Sequence, residues 1–238
     1  MFGVAGLVCG LTMLFGPTAQ ANDEEMLHYA RFRPSQTYYL YVPAAYAFTG
    51  NDQWPLFIAI HSDMASGAGD FELWKQYADK EHFVLLAPNF SEGFASFQDD
   101  SDRTLWKIVQ EVRTEYRIDR QHVLICGVAG GAQFAYRFAL RYPEFAHTAA
   151  VISPGELPSP GREDAPVRTR FYFSASARQP EFVDQAQALV QRLRLAGHEV
   201  DMYVDAGGSI TIPSKAVVDV LNRVRLMNAE LSMRPKSG

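Results

Sequence analysis

Seven short runs along the chain are dense in apolar, β-branched or aromatic residues: Thr37–Val42, Leu56–Ile60, Phe83–Ala87, His122–Cys126, Thr148–Ile152, Arg170–Phe173 and Glu199–Val204. Their nearly continuous hydrophobicity predicts strands covered on both faces. Helical periods lie between several of them. Leu105, Ile108, Val109, Val112 and Tyr116 share one face, entered by the polar cluster Asp99–Asp102. Phe182, Ala186, Leu189, Val190 and Leu193 form a second, closed by Gly197, and Val217, Val220, Leu221 and Val224 a third, entered by Pro213. Strand–helix alternation of this kind gives a mostly parallel sheet with helices on both faces. No repeat, linker or composition break divides the chain, and Ser153–Pro166 reads as a loop within one domain.

The ends differ from this pattern. Residues 2–21 carry no charge, Phe2–Phe15 are apolar or small, Gly16-Pro17 breaks the run, and Ala19-Gln20-Ala21 offers a small-x-small cleavage site. Residues 1–21 are therefore expected to be a secretory signal peptide, with a membrane anchor as the competing reading. The folded domain is expected over residues 22–227, followed by a polar, frayed tail over 228–238. Without the leader, Cys126 is the single cysteine, so no intrachain disulfide forms in the secreted or periplasmic compartment that export implies.

Composition removes one class of function. With 22 basic and 27 acidic residues and a net charge of −5, the chain lacks the basic excess of a nucleic-acid binder. The histidines show no metal-ligand spacing, so no metal or other cofactor is expected. The acids Glu92, Asp99, Asp100 and Asp102 lack a calcium-loop spacing and suit a helix N-terminus.

The chemistry-bearing stretch is His122-Val-Leu-Ile-Cys-Gly-Val-Ala-Gly-Gly-Ala-Gln-Phe134, an apolar strand that runs through Gly-x-Ala-Gly-Gly into a helical period. This is the context of a nucleophile elbow, Gly-x-Ser-x-Gly, whose strained turn lifts a nucleophile above the sheet. The chain resembles the α/β-hydrolases, and among them the small secreted esterases grouped with polyhydroxybutyrate depolymerases and feruloyl esterases. Further likeness lies in Ile60-His61-Ser62, Ala87-Pro88-Asn89-Phe90, Tyr116-Arg117-Ile118-Asp119, Tyr142-Pro143-Glu144 and Ser153-Pro154-Gly155. The resemblance implies an α/β-hydrolase fold in one domain and the chemistry of a serine carboxylic ester hydrolase.

The triad positions that the resemblance assigns are all substituted. Ala129 stands at the nucleophile position, Gln179 at the acid position and Ser209 at the histidine position. Losing the nucleophile or the base alone costs such an enzyme about a millionfold in turnover. Natural drift accounts for three losses together, whereas an engineered inactive variant accounts for Ala129 alone. His198 precedes its strand and is expected to be a surface loop residue at the far sheet end. His61 is expected to pack under the oxyanion loop, with a role as base the alternative.

What remains is a candidate cleft. The N–H groups of Ser62 and Gly130 form a potential donor pair for a carbonyl or carboxylate. Asp63 either opposes negative charge there or faces solvent. Phe94, Phe97 and Met64 either line an apolar pocket or cap the core. The expectation is a non-catalytic hydrolase homologue that holds a small ester, hydroxy acid or phenolic ligand. Two other readings stand beside it: an active ester hydrolase using Ser209 or Ser66 with His61, and an interaction protein without a ligand.

Overall fold

The computed structural model describes residues 26–62, 65–90, 100–157, 168–206 and 212–234. Residues 1–21, where a signal peptide is expected, and Asp63, Met64, Phe94, Phe97 and Ser209 lie outside the described residues.

The strands are β1 (Leu27–Ala30), β2 (Arg33–Tyr41), β3 (Trp54–Ile60), β4 (Val84–Asn89), β5 (Ile118–Val128), β6 (Thr148–Ile152), β7 (Arg170–Ser176) and β8 (Glu199–Asp205). The helices are α1 (Gly67–Glu81), α2 (Ser101–Glu115), α3 (Gly130–Arg141), α4 (Pro180–Leu195) and α5 (Ser214–Ser232), with a 3-10 turn at Ala44–Phe48. One sheet runs in the order β1-β2-β4-β3-β5-β6-β7-β8. β2 pairs antiparallel with β1 and β4, and every other pairing is parallel.

Every residue of β3 is buried, as a central strand under two helical layers requires. Ile58, Ile125, Val151 and Phe173 face a layer built by α2, α3 and α4, where they meet Leu105, Phe134 and Leu189. Phe57, Leu124, Cys126 and Tyr172 face the other way, toward Phe71 and Trp74 of α1 and Val220 and Val224 of α5. This is the α/β-hydrolase fold in a single domain, and it sends the carboxyl ends of β3 and β5 to β8 to one edge.

Three elements depart from the sequence-based expectation. No helix is anticipated between Ile60 and Phe83, yet α1 forms there with Gly67, Phe71, Trp74 and Ala78 on its buried side. β5 starts four residues earlier than its apolar run, because polar Asp119 is buried in a charged network. The expected tail over 228–238 is helical through Ser232. Asn228 donates to the Glu81 carbonyl at 2.7 Å, Glu230 pairs with Arg170 at 2.8 Å, and Arg234 pairs with Asp119 at 2.7 Å. A polar segment is ordered here by polar partners, which hydropathy does not register.

Candidate active site at the elbow

The turn between β5 and α3 is held in a rare conformation. Ala129 has φ 51° and ψ −119°, a combination that costs a residue with a Cβ of the order of 1–3 kcal/mol. Two glycines make the turn possible. A Cβ on Gly127 would lie 2.1 Å from the Gly131 carbonyl oxygen, and one on Gly131 would lie 2.4 Å from the Ile60 oxygen and 2.5 Å from the His61 oxygen. These are backbone atoms with nowhere to move. The elbow is thus wedged against the end of β3, and Ala129, exposed at its crest, presents a methyl group.

Hydrogen bonds pin the turn. The Ala129 N–H donates to the Ile152 carbonyl at 3.1 Å, and the Ala129 carbonyl accepts from Ala132 at 3.0 Å and Gln133 at 3.2 Å. Gly130 opens α3, so its N–H has no acceptor within the helix and adds to the positive end of the helix dipole. Next door, Ser153 is also left-handed at φ 46°, and its N–H donates to the Ser174 carbonyl at 2.8 Å. Gln133 ties the two turns together by donating to the Pro154 carbonyl at 2.9 Å.

His61 is completely buried. Its Nε2 accepts the Phe90 N–H at 3.1 Å, so Nδ1 carries the proton and donates to the Ser62 carbonyl at 2.7 Å. Both ring nitrogens are committed to backbone, and the ring joins the ends of β3 and β4. A side chain in that state cannot take a proton from a nucleophile. Ser62, half-buried, follows directly, one residue beyond the Ile60 and His61 carbonyls that Gly131 abuts. Ser66 sits exposed at the N-cap of α1 without a side-chain cap bond.

Gln179 is exposed beyond β7, at the elbow end of the sheet. It serves the backbone: its N–H donates to Ser176, and its carbonyl accepts from Phe182 at 3.0 Å and Val183 at 3.2 Å, which starts α4. His198 corrects an expectation. It lies at the opposite sheet end but is only 6% exposed, its Nδ1 accepting the Thr169 N–H at 3.1 Å and its ring edge-on to Phe171 at 5.4 Å. Gly197, at φ 91°, turns the chain inward so that the imidazole fills the gap between the starts of β7 and β8.

Asp70 is an acid of perturbed ionisation that the sequence reading passes over. It sits in α1, and burial pushes its carboxyl up to about 6, while its charge in turn helps raise the buried Cys126 thiol. Its spacing of three from Gly67 and four from Trp74 is the available signal, since it sets an acid, half-buried, along the face that carries Gly67 and Trp74. Among the described residues no group of three His, Cys, Asp or Glu side chains is placed to hold a metal ion.

No family model and no curated protein matches the chain. Solved structures do. A thermostable esterase aligns with TM-score 0.64 at 17% identity over 87% of this chain, which spans 61% of that esterase. A ferulic acid esterase aligns with TM-score 0.63 at 15% identity, covering 84% of this chain and 96% of its own. A phospholipase/carboxylesterase from Dyadobacter fermentans aligns with TM-score 0.61 at 16% identity, covering 79% and 95%. The chain therefore shares its fold with esterases and related hydrolases.

Proposed function

We propose that this protein is an exported, non-catalytic member of the α/β-hydrolase superfamily that retains the ligand-binding end of the fold without its chemistry. One observation carries the reading: the elbow keeps its strained geometry at Ala129 and its enforced glycines, yet the crest holds no nucleophilic atom. The locked tautomer of His61 supports it, because the imidazole at the end of β3, whose backbone abuts Gly131 of the elbow, is spent on structure. Gln179 at the acid position exposes an amide rather than a carboxylate.

Acyl transfer needs an attacking atom, a base and an oxyanion site, and what survives without the first two is about a thousand- to ten-thousandfold over water. The Gly130 N–H at the head of α3, together with the Ser62 backbone, would hold the oxygen of a small ester, hydroxy acid or phenolic carboxylate without turning it over. The uncharged, apolar stretch of residues 2–21, ending in the small-x-small Ala19-Gln20-Ala21, supports export to the periplasm or beyond.

The test is Ala129→Ser. Assayed with short-chain nitrophenyl esters against heat-killed protein, the substituted chain is expected to stay at background, because a serine alone lacks its base. Turnover restored by that single change would show that a complete relay was present and that this reading is wrong. Binding is checked separately by thermal shift with a panel of esters, hydroxy acids and phenolic acids.

A further inference from the structure

The carboxyl end of α5 is fastened to the sheet by polar contacts rather than by apolar packing. Met227 is the last buried residue of the helix; beyond it Leu231 is half-buried, and Ser232 and Met233 are exposed. Asn228 reaches the Glu81 carbonyl, Glu230 reaches Arg170 of β7, and Arg234 reaches Asp119 and Gln121 of β5. His122 of β5 lies between these contacts.

His122 is 3% exposed, and each of its ring nitrogens meets a carboxylate. Nδ1 stands 2.7 Å from Asp119 Oδ1, and Nε2 stands 3.2 Å from Glu230 Oε2. A carboxylate can only accept, and a neutral imidazole has a single N–H to give. Either one acid carries a proton, then, or the ring carries two. The acids are anions. Asp119 Oδ1 also accepts the Gln121 N–H at 2.8 Å, and its Oδ2 accepts from Arg234 at 2.7 Å. Glu230 Oε1 lies 2.8 Å from Arg170, whose hydrogen bond holds the Glu230 carboxyl below its ordinary value. The geometry therefore requires an imidazolium at His122.

The remaining charged neighbours do not take over its role. His147, in the turn before β6, has its imidazole pushed below the ordinary value, first by burial and further by the charge of His122, so this second ring is the neutral one. Arg113 of α2 interacts with Arg120 and Asp119, and Arg120 itself is exposed. Glu199 of β8 shares Arg170 with Glu230.

Of the two ring protons, the one on Nε2 is held by the longer bond and by the more exposed acid. Once it leaves, a lone pair faces Glu230 Oε2 and the contact turns repulsive. Glu230 is then left to Arg170, which is divided between two acids.

We infer that His122 is a proton-operated latch for the carboxyl end of α5: as an imidazolium it bridges Asp119 and Glu230, and on losing its Nε2 proton it loosens the last turn of the helix. The latch lies at the sheet edge opposite the elbow and works whether or not the cleft binds a ligand.

The test is nuclear magnetic resonance on the isotopically labelled full chain. The ring nitrogens of His122 are followed from about pH 5 to about pH 9, across the range in which imidazoles titrate. Amide hydrogen exchange, corrected for its intrinsic pH dependence, is measured alongside. At the acid end both ring nitrogens should be protonated. As pH rises Nε2 should lose its proton while Nδ1 keeps its own, and over the same interval the amides of residues 230–234 should lose protection several-fold relative to those of β6. Glu230→Gln removes the repulsion, because an amide can accept from the imidazolium or donate to the neutral ring. In that variant the protection at 230–234 should stay level. A ring whose proton count does not change over the range overturns the inference. So does protection at 230–234 that fails to follow the ring, or a pH dependence in Glu230→Gln equal to that of the parent chain.

Discussion

The two edges of the sheet handle polar groups in opposite ways. At the elbow edge, strain is kept without charge: Ala129 and Ser153 are both left-handed, Ala129 presents a methyl group and exposed Gln179 an amide. At the other edge charge is kept and satisfied. Asp119, 2% exposed, accepts from His122 at 2.7 Å, from the Gln121 N–H at 2.8 Å and from Arg234 at 2.7 Å, and His122 reaches Glu230 at 3.2 Å. Two acids, half-buried Asp70 and buried Asp119, carry the contrast. Burial alone pushes Asp70 up to about 6. Burial also pushes Asp119 up, but the His122 and Gln121 hydrogen bonds and the charges of His122 and Arg234 outweigh it, and the carboxyl ends lowered to about 2. A buried charge is stable where it has partners, and this fold spends its partners far from the elbow.

The sharpest break of this comparison is Gly127→Ala. The added methyl meets backbone at 2.1 Å, so the elbow must open, at a cost of about 3–5 kcal/mol in urea unfolding. A cost below about 1 kcal/mol would show that the elbow relaxes easily and that its strain is not enforced.

Asp119→Ala comes next, with an expected loss of about 3 kcal/mol, because His122 is left buried beside a missing partner. The same substitution should leave ligand-induced thermal shifts at the elbow edge unchanged.

The acids then give opposite pH dependences. Asp119 has its folded value below the ordinary 3.8, so its contribution is present above about 4 and lost as pH falls toward 2. Asp70 has its folded value above 3.8, so its contribution is full below about 4 and lost as pH rises through about 6. Asp70→Asn should therefore stabilise the protein by about 1–2 kcal/mol at pH 8 and by little at pH 4, read from chemical denaturation at the two values. An equal effect at both would remove the titration from the explanation.

The smallest effect is at the crest. Ala129→Gly relieves the left-handed strain but frees the unfolded chain, for a net gain of about 0.5 kcal/mol in melting experiments.

Much of the fold is legible in the sequence because buried parallel strands are apolar throughout: Thr148–Ile152 has the same bounds in the chain's pattern and in space. The elbow is legible because Gly127 and Gly131 have a steric cause that does not depend on which side chain stands at the crest. The remainder turns on polar groups that find distant partners. Asp119 lies 115 positions from Arg234, and Glu81 is 147 from Asn228, so neither partnership leaves a local trace. His198 misleads for the same reason, since its burial depends on the Thr169 N–H in a neighbouring strand. Helix α1 is obscured by Gly67, Gly69 and Asp70 at its start.

The strand order bears on how the chain comes together. β3 lies between β4 and β5, while β2 reaches past it to β4. The first hairpin cannot dock until residue 89 has been delivered, and the middle strand gains its second neighbour only when residue 128 arrives. A chain threaded amino end first through a narrow conduit would wait for more than half its length before its interior could close, which favours slow, late collapse over stepwise growth.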